Sequence, residues 1–251
     1  MQNFNEDGYQ TFKKFFNPTE LEGVRGIVSD FHQSWIKDNQ VFYQEKAVNS
    51  AYLTNSRYLT PRQRTELFQF IATNKLMSLV GSILPKGMFM NTQLFFDPVN
   101  KQQKNYWHRD PQYHLSLDQQ KAALSGPEVI HCRIPLVDEP GIEFIPASHK
   151  NWDTEEELKV RLEQDGCRNS DDLLMAEKVK LAAGDLLVFS ANMIHRGLYG
   201  NDRLALDILF CEVDPKLAEF ISDECLPSAE ILSELENAAC FEACLRLKEG
   251  L

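Results

Sequence analysis

The chain has 251 residues and a formal net charge of −11, with 43% hydrophobic and 25% charged residues. These values are typical of a globular protein with a sizeable core. The acidic balance argues against nucleic acids and anionic membranes as partners, because both require a basic surface. No apolar run is long enough to span a bilayer, and the polar start MQNFNEDGYQ lacks the apolar segment of a signal peptide. We therefore expect a cytoplasmic location.

The first third of the chain is predicted to be helical. Asn17-Pro18-Thr19 is a typical helix start, and apolar residues then recur at helical spacing as far as Trp35. A second helix is predicted over Pro61–Leu79, which opens with Thr60-Pro61.

From about residue 88 the pattern changes to short aromatic and aliphatic segments separated by turn residues. These segments are MFMNTQLFFDP, EVIHCRIPLV, GIEFIPAS, KVKLAAGDLLVFS and RLALDILFCEV. Several strands in one block predict a β-sandwich or jelly roll. A charged segment at 151–178 carries a predicted helix at Thr154–Gln164 and is either a lid or a solvated surface insertion.

The tail from Pro215 is predicted to be helical again. The expected fold class is therefore mainly β with flanking helices (α+β). We expect a single domain over 1–251, with a helical part at 1–87, a strand-rich core at 88–214 and a helical tail at 215–251. The six cysteines form no CxxC pair, so buried or half-buried reduced thiols are expected.

The stretch WHRD at 107–110 is the first candidate site. In a β-strand His108 and Asp110 would point to the same face and bring an imidazole and a carboxylate to one point. These are two of the three ligands of the facial triad that binds Fe(II) in non-haem oxygenases. A His/Asp pair on the surface is the alternative, because so short a motif recurs by chance.

A metal site of this type needs a second histidine from a later strand. Of His131, His149 and His195, the last has the best context, because it ends GDLLVFSANMIH and precedes the turn GLYGND. The chain would return as a hairpin that carries Arg203, a fixed cation able to bind the distal carboxylate of a 2-oxo acid. Arg196 ranks second for this role, because in a strand it would point away from His195.

These stretches resemble the phytanoyl-CoA dioxygenase family of Fe(II)- and 2-oxoglutarate-dependent oxygenases. WHRD is similar to the family's His-x-Asp strand, and IEFIPASHK is similar to its Pro-Gly-Ser-His-Lys turn, with Ala147 in place of glycine. LAAGDLLVFSANMIH and RLALDI resemble the strands with the distal histidine and the arginine. With the opening EDGYQTFKKFFNPTELEGVR, the resemblance spans roughly residues 5 to 214.

The resemblance implies a double-stranded β-helix (jelly roll) and an iron site made by His108, Asp110 and His195. It also implies that Arg203 binds the C5 carboxylate of 2-oxoglutarate, although the stretch from His195 to Arg203 is shorter than is usual in the family. Related halogenases lack the aspartate, so the presence of Asp110 favours hydroxylation or another oxidation.

Four further residues are candidates for the same cavity. Gln93, which shares a strand face with Phe95, is either an oxoglutarate-binding amide or an exposed edge residue. His131 and Arg133 also share a face and either meet solvent or line the barrel and bind substrate, with Arg133 suited to an anionic group. Trp107 either walls the substrate site or packs beside it.

The predicted activity is hydroxylation of a small-molecule substrate, in which one oxygen atom of O₂ enters the substrate and the other enters the succinate that forms, with CO₂, from 2-oxoglutarate. Fe(II) and 2-oxoglutarate are the expected cofactor and co-substrate. Two alternatives remain open at this stage. One is a cupin-like binding or sensing protein without turnover, and the other is a zinc- or manganese-dependent hydrolase or isomerase that uses the same cavity.

Overall fold

The computed structural model describes residues 3–250. Within this range the α-helices are α1 Phe4–Asp7, α2 Pro18–Asp38, α3 Gln40–Glu45, α4 Pro61–Ile71, α5 Asn74–Ile83, α6 Leu117–Ala123, α7 Glu155–Arg161, α8 Pro215–Ala218, α9 Ala229–Glu234 and α10 Ala239–Lys248. The strands are β1 Tyr9–Phe12, β2 Asn49–Ala51, β3 Met88–Phe96, β4 Val129–Pro135, β5 Glu139–Phe144, β6 Glu177–Leu181, β7 Leu186–Ser190, β8 His195–Gly197 and β9 Leu204–Cys211. Two short 3-10 helices cover Asp110–Tyr113 and Asp223–Cys225.

The strands form two antiparallel sheets. The larger has the order β1-β7-β4-β9-β3-β2, and the smaller has the order β6-β5-β8. The sheets pack face to face, since Tyr9 of β1 stacks on Phe144 of β5 at 4.7 Å between ring centroids, and Phe144 contacts Phe189 of β7. This arrangement confirms the predicted jelly-roll core with flanking helices.

Strand alternation gives the large sheet two different faces. Cys132 and Ile134 of β4 belong to the same buried cluster as Val24 and Phe31 of α2. His131 and Arg133, which alternate with them, point to the opposite side. The helices therefore cover the outer face of the large sheet, and the inner face is left for polar side chains.

The start of α2 follows the sequence pattern closely. The Asn17 side chain accepts a hydrogen bond from the Glu20 backbone N–H at 3.0 Å, and the Glu20 carboxylate accepts one from the Asn17 N–H at 2.6 Å. Pro18 occupies the first turn, where its missing N–H costs nothing.

The predicted helix Pro61–Leu79 is wrong in one respect, because the structure divides it into α4 and α5. Thr73 is extended between the two helices. The Glu236 carboxylate accepts hydrogen bonds from the backbone N–H of Asn74 at 3.0 Å and from its side-chain amide at 2.7 Å. The cap that starts α5 thus comes from a residue far away in the chain, which local periodicity cannot indicate.

The predicted helix at Thr154–Gln164 is shorter in the structure, where it ends at Arg161. Glu163 and Asp165 have φ angles of 54° and 52°, which are incompatible with a continuing right-handed helix. All six cysteines are free; five are buried and Cys167 is half-buried. Within residues 3–250, no helix combines the length and apolar character needed to cross a bilayer.

His32 of α2 is half-buried among aromatic rings and lies outside the inner face. Its ring centroid is 4.5 Å from that of Phe96 and 5.7 Å from that of Tyr43. Among the described residues, its buried Nδ1 has no hydrogen-bond partner. Burial lowers the pKa of His32 to about 4, so the ring is neutral in the folded protein at neutral pH.

We expect His32 to lower the unfolding free energy of the metal-free protein as the pH falls. Above pH 6.5 the ring is neutral in both states, but between pH 6.5 and about 4 only the unfolded state binds the proton, which favours unfolding. Between pH 7.5 and pH 5, His32→Phe should therefore lose about 1 kcal/mol less of its unfolding free energy than the wild type, after allowance for partial exposure. Urea unfolding at the two pH values measures this difference, and equal losses would contradict it.

Candidate metal centre and cavity

His108 and His195 face each other across an isolated antiparallel bridge. The His108 N–H donates to the His195 carbonyl at 3.0 Å, and the His195 N–H donates to the His108 carbonyl at 2.9 Å. Their ring centroids are 4.2 Å apart. Two residues that are 87 positions apart are therefore fixed side by side through their backbones.

The predicted hairpin between His195 and Arg203 is wrong. Strand β7 ends at Ser190, a turn follows, and His195 begins β8 in the small sheet. Arg203 directly precedes β9, which belongs to the large sheet. The turn GLYGND carries the chain from one sheet to the other, so His195 and Arg203 line the same cavity although the strands beside them belong to different sheets.

Asp110 reaches the same point by a different route from the one expected. It begins a 3-10 helix instead of continuing a strand, and Pro111 suits the first turn of that helix. Its Oδ1 still lies 3.5 Å from His108 Nε2 and 3.8 Å from His195 Nε2. The sequence correctly predicts that His108 and Asp110 lie together, but the structure does not have the strand geometry on which that prediction rests.

The donor atoms of these three side chains lie within 4.8 Å of one another and suit a metal ion. Nδ1 of His108 lies 3.1 Å from the Tyr106 carbonyl, and Nδ1 of His195 lies 3.0 Å from the Met193 carbonyl. A carbonyl only accepts, so each Nδ1 carries the proton and each Nε2 keeps a free lone pair. Burial and the nearby His108 lower the pKa of His195 to about 3, which keeps it in the neutral form that a ligand needs. Two imidazole nitrogens and one carboxylate oxygen form the donor set that Fe(II) accepts in facial-triad sites.

The second oxygen of Asp110 is bound by His131. His131 Nε2 lies 2.7 Å from Asp110 Oδ2, and His131 Nδ1 lies 3.1 Å from Asp207 Oδ2. Burial alone would lower the pKa of His131, but the two carboxylates outweigh it and raise the pKa to about 9. His131 faces the cavity as expected, but both ring nitrogens are used by protein carboxylates and neither is free for a substrate.

A cavity of about 870 Å³ opens from these ligands between the two sheets. Gln93, Asp207 and Arg133 lie side by side on neighbouring strands, and Gln93 and Arg133 line the cavity floor. Arg133 Nε donates to Asp207 Oδ1 at 2.6 Å. Among the described residues, the buried Nη1 of Arg133 has no hydrogen-bond partner. This nitrogen is thus a donor in the cavity wall that can form a hydrogen bond to an acceptor of a bound molecule.

Arg203 is buried in the same cavity, beyond Arg133. Its Nε lies 3.3 Å from Oε2 of Glu139, another fully buried side chain. Both arginines lie over the ring of Phe95, at 4.2 Å for Arg133 and 5.4 Å for Arg203. A Cβ at Gly197 would lie 2.8 Å from both terminal nitrogens of Arg203, so glycine leaves the room that the guanidinium occupies.

Arg196, the alternative to Arg203, points elsewhere. It donates to the carboxylates of Glu143 and Asp172, each at 2.6 Å, and lies over the ring of Trp107. Trp107 is fully buried outside the cavity, and its Nε1 donates to the Asp171 carbonyl at 2.9 Å. The structure therefore does not bring Trp107 to the substrate side, because its ring packs behind the ligand motif.

Arg109, which lies between the two ligands of WHRD, is a residue that the sequence patterns do not single out. It is only 1% exposed. It donates to the Asp153 carboxylate at 2.8 Å and to the carbonyls of Ser148 at 2.6 Å, Asn151 at 2.9 Å and Asn192. The alternation of ligand, arginine and ligand is its only signal in the sequence.

The charged segment 151–178 packs behind the ligands. The Asp153 carboxylate binds both Arg109 and Arg161 of α7, the latter at 2.7 Å. The backbone N–H of Trp107 donates to the Asn169 carbonyl at 2.8 Å. Of the residues described in 151–178, none lines the cavity. In this structure the segment supports the ligand motif from behind and does not cover the substrate side.

The cavity mouth is built from other elements. Tyr106 and Tyr113 lie beside His108, with their hydroxyl oxygens 3.2 Å apart. The segments around α6 and α8 add further apolar side chains, including Leu115 and Phe220. Tyr113 and Phe220 are 53% and 44% exposed, which leaves an apolar rim open to an incoming molecule.

Comparison with known proteins identifies a family and a fold. The model of the family described as Phytanoyl-CoA dioxygenase (PhyH) matches residues 4–199. No curated protein matches the chain. The residues that the family model matches include His108, Asp110 and His195.

Three solved structures illustrate the similarity of fold. HygX from Streptomyces hygroscopicus, with nickel and 2-oxoglutarate bound, has a TM-score of 0.60 at 13% identity, over 83% of this chain and 84% of that one. EctD from S. alaskensis has a TM-score of 0.57 at 14% identity, over 84% and 75%, and is also known with bound Fe. SnoK, an alpha-ketoglutarate-dependent carbocyclase from nogalamycin biosynthesis, has a TM-score of 0.53 at 15% identity, over 84% and 82%. At these identities the likeness shows a shared fold.

We expect Arg109→Met to reduce the unfolding free energy by about 3 kcal/mol or more, because it leaves buried acceptors without their donor. The loss should appear as a lower midpoint of urea unfolding in the metal-free protein. Arg62→Met is the matched control, since Arg62 is exposed and, among residues 3–250, its ion pair is with Glu66 on the helix surface. Equal midpoints for the wild type and both variants would contradict a supporting role for Arg109.

Proposed function

Because this chain belongs to the phytanoyl-CoA dioxygenase family, whose members use Fe(II) and 2-oxoglutarate, we propose that it is a 2-oxoglutarate-dependent hydroxylase of a small molecule. The observation that carries the proposal is the meeting of His108, Asp110 and His195 at one end of a cavity that holds the buried Arg203. A metal site and a buried guanidinium in one cavity suit a 2-oxo dicarboxylate as co-substrate, because the metal can bind its 2-oxo acid end and the guanidinium its distal carboxylate.

In this proposal Nε2 of His108, Nε2 of His195 and Oδ1 of Asp110 hold the iron. When bound, Fe(II) supplies the redox chemistry by which O₂ and 2-oxoglutarate oxidise a substrate C–H bond. The protein contributes the orientation of the ligands, through the carbonyls of Tyr106 and Met193 and through the Arg109 contacts.

Arg203 is proposed to bind the distal carboxylate of 2-oxoglutarate. A guanidinium meets a carboxylate with two parallel hydrogen bonds and keeps its charge when buried. Glu139 holds the Nε side of Arg203, and Gly197 leaves space at the terminal nitrogens. Gln93, on the same floor, is proposed to donate its amide to the co-substrate.

The remaining space is proposed to hold a small, mainly apolar substrate. A cavity of about 870 Å³ is in the size range of small-molecule sites. Ile142, Phe189 and Leu209 line it near the ligands and exclude water from the reacting atoms. Arg133 offers Nη1 to a polar group of the substrate, and its charge is already balanced by Asp207.

Hydroxylation is the specific reaction that we propose, because the carboxylate ligand Asp110 is present and its position is not open to a halide. The fold by itself does not select this outcome, since SnoK is described as a carbocyclase. The cavity rim of Tyr113 and Phe220 suits a hydrophobic molecule that presents one C–H bond to the ligands.

Anaerobic titration of the metal-free protein with Fe(II) and 2-oxoglutarate tests the proposal. We expect a weak visible charge-transfer band, because an iron-bound 2-oxo acid absorbs in this range. Asp110→Ala should abolish the band by removing an iron ligand, and Arg203→Leu should require a much higher 2-oxoglutarate concentration to produce it. If the wild type binds iron but shows no charge-transfer band, the oxygenase proposal is wrong, and a binding protein or an enzyme with another metal is favoured.

Gly197→Ala should weaken 2-oxoglutarate binding about tenfold, because the new methyl group displaces the Arg203 guanidinium and its charged hydrogen bonds. Affinity for Fe(II) alone should not change. Gly81→Ala is the matched control, since a Cβ at this position in α5 meets no atom within 4 Å. The 2-oxoglutarate dissociation constants of the Fe(II)-loaded proteins provide the measurement, and wild-type affinity in Gly197→Ala would contradict the placement of Arg203.

A further inference from the structure

We propose that His131 is a positioning residue that holds Asp110 as a ligand through one oxygen only. The inference rests on the proposed function, in which Asp110 binds iron. It assigns to His131 a role in shaping the coordination sphere, in place of the substrate contact expected from the sequence.

The two oxygens of Asp110 have different neighbours. Oδ1 lies nearest the two ligand histidines, 3.5 Å from His108 Nε2 and 3.8 Å from His195 Nε2. Oδ2 lies 2.7 Å from His131 Nε2, on the side of the large sheet. A hydrogen bond of this length directs Oδ2 away from the point where the three ligand atoms converge.

His131 is itself held in one orientation. Its ring stacks on Phe189 with 4.6 Å between centroids and 13° between planes. Its Nδ1 lies 3.1 Å from Asp207 Oδ2, and the other oxygen of Asp207 accepts a hydrogen bond from Arg133 Nε at 2.6 Å. Asp207 and the His131 ring are both buried, so this orientation does not depend on solvent.

The sheet registers make this chain of contacts rigid. His131 is paired with Phe189 on one side of β4, and Arg133 is paired with Asp207 on the other. The contact of His131 with Phe189 and the contact of Arg133 with Asp207 are thus fixed by backbone pairing between neighbouring strands. A contact network built on strands positions a ligand more exactly than one built on loops.

The functional consequence concerns the number of free positions at the metal. Three single-atom ligands would leave open positions at the ion for a chelating 2-oxo acid and for O₂. A carboxylate that is free to turn can bind through both oxygens and occupy one of these positions. By engaging Oδ2, His131 would keep that position open for the co-substrate.

The test compares His131→Leu, which cannot donate a hydrogen bond, with His131→Gln, which retains an N–H donor. Two quantities are measured anaerobically: the Fe(II) dissociation constant without 2-oxoglutarate, and the 2-oxoglutarate dissociation constant at saturating Fe(II). His32→Gln is the control, because it replaces a half-buried histidine outside the cavity. Circular dichroism and urea unfolding establish that each variant is folded.

We expect His131→Leu to weaken Fe(II) binding about 10- to 100-fold, as is typical for the loss of a group that orients a metal ligand. It should also weaken 2-oxoglutarate binding at saturating Fe(II), and His131→Gln should recover most of both losses. Asp207→Asn, which removes the charge behind the ring, should cause a smaller loss in the same direction. If His131→Leu does not fold, Asp207→Asn and His131→Gln carry the test.

Unchanged Fe(II) and 2-oxoglutarate affinities in His131→Leu, or in Asp207→Asn where the leucine variant does not fold, would overturn this inference alone. Equal losses in His131→Gln and His131→Leu would also overturn it, because the ring would then matter for packing and not for its hydrogen bond. A wild-type protein that binds iron without a charge-transfer band would instead overturn the proposed function, and this inference with it.

Discussion

The candidate metal centre depends on one structural constraint, the backbone bridge between His108 and His195. Two reciprocal hydrogen bonds tie the segment around WHRD to the first residue of β8. Every other feature of the centre is arranged around this pair. Asp110 follows two residues later, and Arg109 turns the opposite way and ties the motif to two separate stretches of backbone, at 148–151 and at Asn192. The ligands can therefore be well ordered although none of them lies in the middle of a long strand.

Charged side chains that alternate in sign, most of them buried, lie between the two sheets. Asp110, His131, Asp207 and Arg133 follow one another at hydrogen-bond distances, and Glu139 and Arg203 form a further pair. Such groups are costly to bury and become tolerable only when each has its partner in place. In an apolar cavity they act on charged ligands more strongly than surface charges do. The cavity is thus apolar where a substrate would fit and strongly polar along its floor.

The sequence predicts the order of the motifs and most strands, because alternation and turn residues are local properties. It also indicates that His108, Asp110 and His195 belong together, although the local geometry expected for them is wrong. Asp110 starts a 3-10 helix, and β8 with His195 and the strand that follows Arg203 belong to different sheets, because the connections of a jelly roll carry the chain between sheets at tight turns. Sequence periodicity does not distinguish such a crossing from a hairpin.

The features that escape prediction share one property, which is that they depend on partners remote in the chain. Glu236 caps α5, Asp153 neutralises Arg109, and Asp207 binds His131. Each of these contacts joins residues more than 40 positions apart. The cost of leaving such a side chain unpaired is decided by the tertiary structure, so the residue type alone gives no signal.

The residues that support the ligands and the residues that form the cavity rim belong to different segments, and this affects how the protein can evolve. Segment 151–178 and Arg109 lie behind the ligands, whereas the rim is made by Tyr113 and the segments around α6 and α8. Mutations at the rim can change which molecule enters without disturbing the ligand geometry. Selection can therefore act on substrate choice and on reaction chemistry as nearly independent traits, and the same scaffold can be recruited to a new metabolite by few substitutions.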